Sequence, residues 1–245
     1  MSSPSRDSSA TQTNWDLIRD AASGSASARG SLDAVTKRAW PAVYAYIRAS
    51  GRQREEAAEL TQGFMADVFL SRQLVGKADQ SRGRFRTLLI NSVRNYLADM
   101  HRRQTAGFRK PTGVLSALDQ LRERGDEPVD TSEASPERAF NARYVAVLIR
   151  AASERLHAEL ASAGDLASWE IFQARILRAA FEGNAPSYDE IGPRVGLDKG
   201  TCAARLLVAK RRFATILMEE LRATIENPAD LQAEITELRA LLSNG

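Results

Sequence analysis

Apolar residues recur along most of this chain at steps of three and four, and no stretch alternates with period two. Such spacing returns to one face of a helix, so the pattern predicts helices throughout and an all-α fold. Trp15, Leu17 and Ile18 mark a short first helix. Leu32 to Ala49 places Val35, Trp40, Val43, Tyr44 and Ile47 at helical spacing, with Pro41 as a kink point and Gly51 as a stop. Arg54 to Leu70 sets Ala57, Leu60, Phe64 and Val68 on one side and Glu55, Glu59 and Gln62 on another. In Arg82 to Arg103 the stripe is Ile90, Val93, Leu97 and Met100, with Leu89 and Tyr96 beside it; Asn91, Asn95, Ala98 and Arg102 form a row on the opposite side. Periodicity resumes at Phe140 with Tyr144, Val147, Leu148 and Leu156, continues through Trp169, Phe172, Ile176, Leu177 and Phe181, and closes at Gly183 to Pro186.

The interruptions predict the organisation. Residues 1 to 13 are Ser-rich, and Ser23 to Gly30 is a second run of small residues. From Gln104 onward Gly107, Pro111, Gly113, Gly125, Pro128 and Pro136 break the pattern, with a short helix at Val114 to Arg122; acids at 123, 126, 127, 130, 133 and 137 face Arg124 alone. The expected layout is a weakly ordered tail with a short helix at 1–27, a helical module at 28–105, a flexible acidic linker at 106–137, a second helical module at 138–225 and an acidic helical extension at 226–245. No internal repeat is visible.

Within the second module Ser187 stands three residues before Glu190, the capping-box spacing, and Tyr188, Ile191 and Val195 give that short helix its apolar face. Gly196 supplies a turn. The following helix has Cys202, Leu206, Ala209 and Phe213 as its buried stripe, with Thr201, Arg205, Val208 and Arg212 on the facing side. Lys199, Arg205, Lys210, Arg211 and Arg212 carry its positive charge, with no acid among residues 199 to 212. Two short helices around a Gly turn, the second one basic, form the helix-turn-helix pattern that sets its second helix in the DNA major groove.

Composition narrows the chemistry. The net charge over 245 residues is only +3, so affinity for nucleic acid must come from local patches. The densest is Arg82 to Arg103, with Arg82, Arg84, Arg86, Arg94, Arg102 and Arg103 against Asp99. Guanidinium and amide groups on a solvated helix face bind phosphate and hydrogen-bond base edges. One cysteine and two histidines supply neither an internal disulfide nor a metal-ligand set, so no metal or other cofactor is expected, and Cys202 reads as core filler. His101 and His157 read as solvated side chains without partners. No apolar leader or membrane-length apolar run occurs, so a cytoplasmic protein without membrane association is expected. No nucleophile with a base, metal set or phosphate loop supports an enzyme.

The order of these motifs resembles the extracytoplasmic-function (ECF) group of bacterial RNA polymerase sigma factors over about residues 28 to 105 and 138 to 222. In that group a polymerase-binding helix runs like D-L-T-Q-E-F-F, and AELTQGFMADVF stands at Ala58 to Phe69. The next helix runs like R-G-x-F-R-x-W-L with R-N-x-x-x-D after it, and RGRFRTLL followed by RNYLADMHRR stands at Arg82 to Arg103. The closing S-Y-x-E-I-A-x-x-L-G is echoed by SYDEIGPRVG from Ser187.

The resemblance implies a transcription initiation subunit. Its first module docks on the clamp of the polymerase largest subunit through Glu55, Glu59, Gln62 and Asp67, and melts the minus-10 promoter element. A loop at Asp79, Ser81, Arg82 and Arg84 captures a flipped base together with Asn91 and Asn95, and Arg94, Arg102 and Arg103 hold phosphates. The second module lies on the minus-35 element through Lys199, Thr201, Arg205, Val208, Lys210, Arg211 and Arg212, beside the flap of the second-largest subunit. An anti-sigma factor or other regulator is a further partner of the family. The chain departs from the pattern at Gly63, where an acid is usual, at Leu88, where Trp is usual, and at Ala203 and Val208, which shifts the expected readout toward shape and phosphate. The extension with Glu226, Asp230, Glu234 and Glu237 is also extra, and is expected to fold back over a basic DNA-binding face. Two other readings stay open: a helix-turn-helix regulator acting without core polymerase, and a helical polymerase-binding scaffold.

Overall fold

A computed structural model describes residues 28–70, 85–107, 135–225 and 228–243. Among the described residues every regular element is helical and no β-strand occurs, as the periodicity requires. The helices are α1 (Ala28–Ala49), α2 (Arg54–Phe64), α3 (Phe85–Gly107), α4 (Pro136–Ser162), α5 (Leu166–Phe172), α6 (Ala179–Glu182), α7 (Tyr188–Val195), α8 (Lys199–Arg222) and α9 (Leu231–Ser243). α2 runs on into a π-helical turn, Met65–Leu70, and a second π-helical turn, Gln173–Arg178, joins α5 to α6. A 3-10 turn, Pro228–Asp230, leads into α9. The helices expected near Trp15 and at Val114 to Arg122, and nearly all of the expected linker, lie outside the described residues.

The chain forms two compact units, and their limits differ from the expected ones. Among the described residues, the first unit holds those up to Val145 and those from Ala223 on; the second is Ala146–Arg222. α4 therefore contributes its first turns to one unit and the remainder to the other. The C-terminal segment, expected as a separate extension, is part of the first unit.

The core of the first unit takes Ala39, Ala42, Val43, Tyr46 and Ile47 from α1, Ala57, Thr61 and Phe64 from α2, and Phe85, Leu89, Ile90 and Val93 from α3. Burial of each large apolar side chain contributes roughly 1.5–3 kcal/mol, which is what holds these helices face to face. α1 stays helical through Pro41 and ends where Gly51 takes φ 84, a left-handed turn open to glycine at no steric cost. Phe140 and Tyr144 of α4 are buried in the same unit, stacked at 5.9 Å. After α8 the chain returns: Ala223, Thr224 and Ile225 are buried, and the Phe85 amide donates to the Thr224 carbonyl at 3.2 Å.

The second unit closes around Ala152, Leu156, Ile171, Phe172, Ile191, Cys202, Leu206, Ala209 and Ile216. The predicted buried stripe of α8 is the one observed, with Phe213 packed on Phe172 at 5.0 Å between ring centroids, and Cys202 is fully buried core. His157, expected to have no partner, packs its ring 4.8 Å from that of Trp169.

Candidate nucleic-acid interface

Two surfaces carry the residues singled out by sequence, one in each unit. In the first, the amphipathic character of α3 decides which side chains reach solvent. Phe85, Leu89, Ile90 and Val93 are buried, so Asn91, Arg94, Asn95, Ala98, Arg102 and Arg103 are exposed on the other side. The loop residues Asp79, Ser81, Arg82 and Arg84 lie outside the described residues. On α2 and its π-helical continuation Glu55, Glu59, Gln62 and Asp67 are all exposed, while Thr61 turns inward and returns its hydroxyl to the Ala57 carbonyl at 2.6 Å.

The arginines of α3 are not equivalent. Arg94 donates to Glu137 at 2.7 Å, and the Tyr46 hydroxyl donates to the same carboxylate oxygen at 3.2 Å. The Arg94 hydrogen bond holds the Glu137 carboxyl below its ordinary range, and Glu137 in turn raises Arg94. Arg102 pairs with Asp99 at 2.6 Å, yet three-quarters of its side chain is exposed. Such exposed pairs are worth about 0–1 kcal/mol, so phosphate competes for either guanidinium at small cost.

Arg86 behaves differently. Sequence places it among the solvated arginines, but it is 2% exposed. Its Nε donates to Glu234 at 2.5 Å, one terminal nitrogen donates to Asn141 at 2.7 Å, and the other reaches Glu234 at 3.2 Å and Glu237 at 2.8 Å. Burial by itself opposes the charge, but the two carboxylates outweigh it and raise the Arg86 pKa. This corrects the expectation for the C-terminal helix. Glu234 and Glu237 neutralise one buried arginine at the start of α3, and Asn91, Arg94, Asn95 and Arg102 stay exposed to solvent.

In the second unit the capping box is complete. The Ser187 hydroxyl accepts from the Glu190 amide at 3.3 Å, and the Glu190 carboxylate accepts from the Ser187 amide at 2.7 Å. Arg175 secures the approach to it, packing its guanidinium 4.0 Å from the Tyr188 ring centroid and donating to the Pro186 carbonyl. α7 ends at Gly196 with φ 67, and the Leu197 amide donates to the Gly192 carbonyl at 3.0 Å. A Cβ at Gly192 would lie 2.6 Å from the Leu197 carbonyl oxygen, so the turn needs glycine at both positions. α8 then starts from an Asp198 cap, whose carboxylate accepts from the Thr201 amide at 2.9 Å and the Thr201 hydroxyl at 2.5 Å. The result is two short helices around a tight turn.

On α8 three of the residues assigned by sequence have carboxylate partners within the unit. Thr201 spends its hydroxyl on Asp198. Arg205 donates to Asp165 at 2.5 Å, and Arg212 makes a two-pronged pair with Glu159 at 2.6 and 2.8 Å. The Arg212 fork fits the Glu159 carboxylate and ties α8 to α4, and the single Arg205 bond ties α8 to Asp165 just before α5. The Arg212 hydrogen bond lowers the Glu159 pKa; burial raises that of Asp165, but Ser168 and Arg205 outweigh it and the net direction is down. Lys199, Val208, Lys210 and Arg211 remain exposed. Lys199 lies 3.3 Å from Asp189, whereas Lys210 and Arg211 have no carboxylate partner among the described residues.

Among the described residues no group of His, Cys, Asp and Glu could hold a metal ion, and no helix is long and apolar enough to cross a membrane. No family model, curated protein or solved structure matches this chain.

Proposed function

We propose that this protein is a promoter-recognition subunit of bacterial RNA polymerase, of the kind its motifs resemble, the ECF sigma factors, and that it acts in the cytoplasm without chemistry of its own. What supports the reading is the presence, in one chain, of two exposed surfaces, one in each compact unit, whose residues match the motifs of that group. One is the exposed amide and arginine row of α3; the other is the capped helix-turn-helix of α7 and α8. A regulator that bound only duplex DNA would need the second alone.

In this reading the exposed acids and amide of α2, Glu55, Glu59, Gln62 and Asp67, contact the clamp of the largest polymerase subunit. Asn91 and Asn95 hydrogen-bond the edge of an unstacked base in the melted minus-10 element, where a few kcal/mol of unstacking is the cost of access. Arg102 and Arg103, with Arg94 released from Glu137, hold phosphates in a salt-dependent and sequence-independent way. α8 enters the major groove of the minus-35 element, beside the flap of the second-largest subunit, with Lys210 and Arg211 on the backbone.

Titration of purified core polymerase with the labelled full chain tests this. Saturable binding is expected, weakened at least about tenfold, or 1.4 kcal/mol, when Glu59 and Gln62 are both changed to alanine. Tight binding to duplex DNA with no binding to core polymerase would overturn the reading in favour of a stand-alone regulator.

A further inference from the structure

We propose that α8 reads the 5-methyl groups of thymine through Leu207 and Val208, an inference that rests on the promoter-binding reading above and names what its second surface recognises. Leu207 is 50% exposed and Val208 65% exposed, a poor environment for two adjacent aliphatic side chains; the unit's other exposed large apolar residues, Ile149, Leu166 and Met218, stand apart from them in sequence. They are neighbours on the third turn of α8, with exposed Ala204 one turn before them and exposed Arg211 one turn after. The polar residues that sequence alone assigns to base edges are otherwise engaged: Thr201 with Asp198, Arg205 with Asp165 and Arg212 with Glu159.

What this face of the helix turns outward is therefore an aliphatic patch, Ala204, Leu207 and Val208, with Arg211 one turn on and exposed Lys199 and Lys210 elsewhere on the same helix. No acid interrupts the helix from Lys199 to Arg212. An apolar patch on a helix whose charges from Lys199 to Arg212 are all positive complements the major groove, which has phosphate on both rims and, on its floor, one apolar group, the thymine methyl. Charge complementarity argues for DNA over a hydrophobic protein partner, which would leave those cations unmatched. Leu and Val offer no hydrogen bond, so discrimination rests on the methyl itself and not on amide or guanidinium pairing.

The test uses the full chain with core polymerase to select duplexes from a randomised pool. Each thymine of the best-bound duplex is then replaced, one at a time, by deoxyuridine, which removes only the methyl group. At one or two positions the substitution is expected to weaken binding about threefold to fourfold, the value of one buried methyl. The double variant Leu207→Ala, Val208→Ala is expected to bind the thymine and deoxyuridine duplexes equally. Its melting temperature should match that of the parent, since both side chains face solvent. Sequence-selective binding with no deoxyuridine effect, or an effect that persists in the variant, overturns the proposal and leaves the promoter reading intact. If the variant instead abolishes self-association in sedimentation while methyl loss has no effect, the patch is an interface between copies and the proposal is wrong. No sequence selection at all overturns both.

Discussion

Arg86 has each of its guanidinium nitrogens engaged by a buried or half-buried oxygen, from Glu234, Glu237 or Asn141. A buried pair so satisfied contributes little over an apolar replacement, but removing one partner strands a charge at a cost of about 3–5 kcal/mol. Glu234→Ala should therefore lower the stability of the first unit by about 3 kcal/mol in urea unfolding, whereas Arg86→Met combined with Glu234→Leu should recover most of the loss. A single-variant loss below about 1 kcal/mol would count against the pair as drawn. Truncation before α9 is expected to act first on stability, and not by uncovering a DNA face. None of this was legible in the sequence. Periodicity reports which face of a helix is buried, but not that an arginine within a basic run will meet an acid 148 residues away. The same limit explains Arg205 and Arg212, whose positive charge was legible and whose carboxylate partners on α4 and before α5 were not.

Between elements, the contact of α2 with α3 explains a departure that looked like a defect. Gly63 stands where an acid is expected and weakens a helix, yet a Cβ there would lie 2.5 Å from the Tyr96 hydroxyl. Tyr96 also meets Phe64 edge-on at 5.6 Å, so its ring is not free to leave. Gly63→Ala should destabilise the protein despite its helix propensity. In a Tyr96→Phe background, which removes the clashing oxygen, it should stabilise by about 0.5–1 kcal/mol. Equal effects in both backgrounds would mean that the hydroxyl is not what holds position 63 to glycine. The helix-turn-helix was the most legible element, because its signals are local: the Ser187 and Glu190 box, the left-handed Gly196 and the apolar stripe of α8 all stand within one short stretch. The two π-helical turns were not legible, since one extra residue in a turn hardly alters apolar spacing.

These capping and bridging carboxylates also set a pH dependence. Glu159, Asp165, Glu190 and Asp198 all have lowered pKa values in the folded second unit. A carboxylate lowered on folding adds stability that is present above its unfolded value, near about 4, and is lost as pH falls through the folded one. The melting temperature of the full chain should thus drop between about pH 5 and pH 3, and a Glu159→Gln, Asp165→Asn variant should be less stable at neutral pH but less acid-sensitive. An unchanged acid slope in that variant would assign the sensitivity elsewhere.

For the whole molecule, the helical character of the described residues was readable from the apolar period, but the division of the chain into its two compact units was not. The chain leaves the first unit within α4, builds the second, and returns at Ala223 to finish the first. That return depends on Thr224 meeting Phe85 and on Glu234 meeting Arg86, contacts made in space with no trace in local spacing. The candidate surfaces follow the same division: which residues a helix face exposes was legible in the sequence, and the partner of each charge was not. The central claim is that these surfaces belong to a polymerase subunit. The most direct test is run-off transcription from a promoter library by core polymerase with and without the full chain. The account predicts promoter-specific transcripts only when the protein is present, lost on Asn95→Ala while nonspecific DNA binding is largely kept. A well-folded protein that binds core polymerase and DNA but yields no promoter-specific transcript would contradict it.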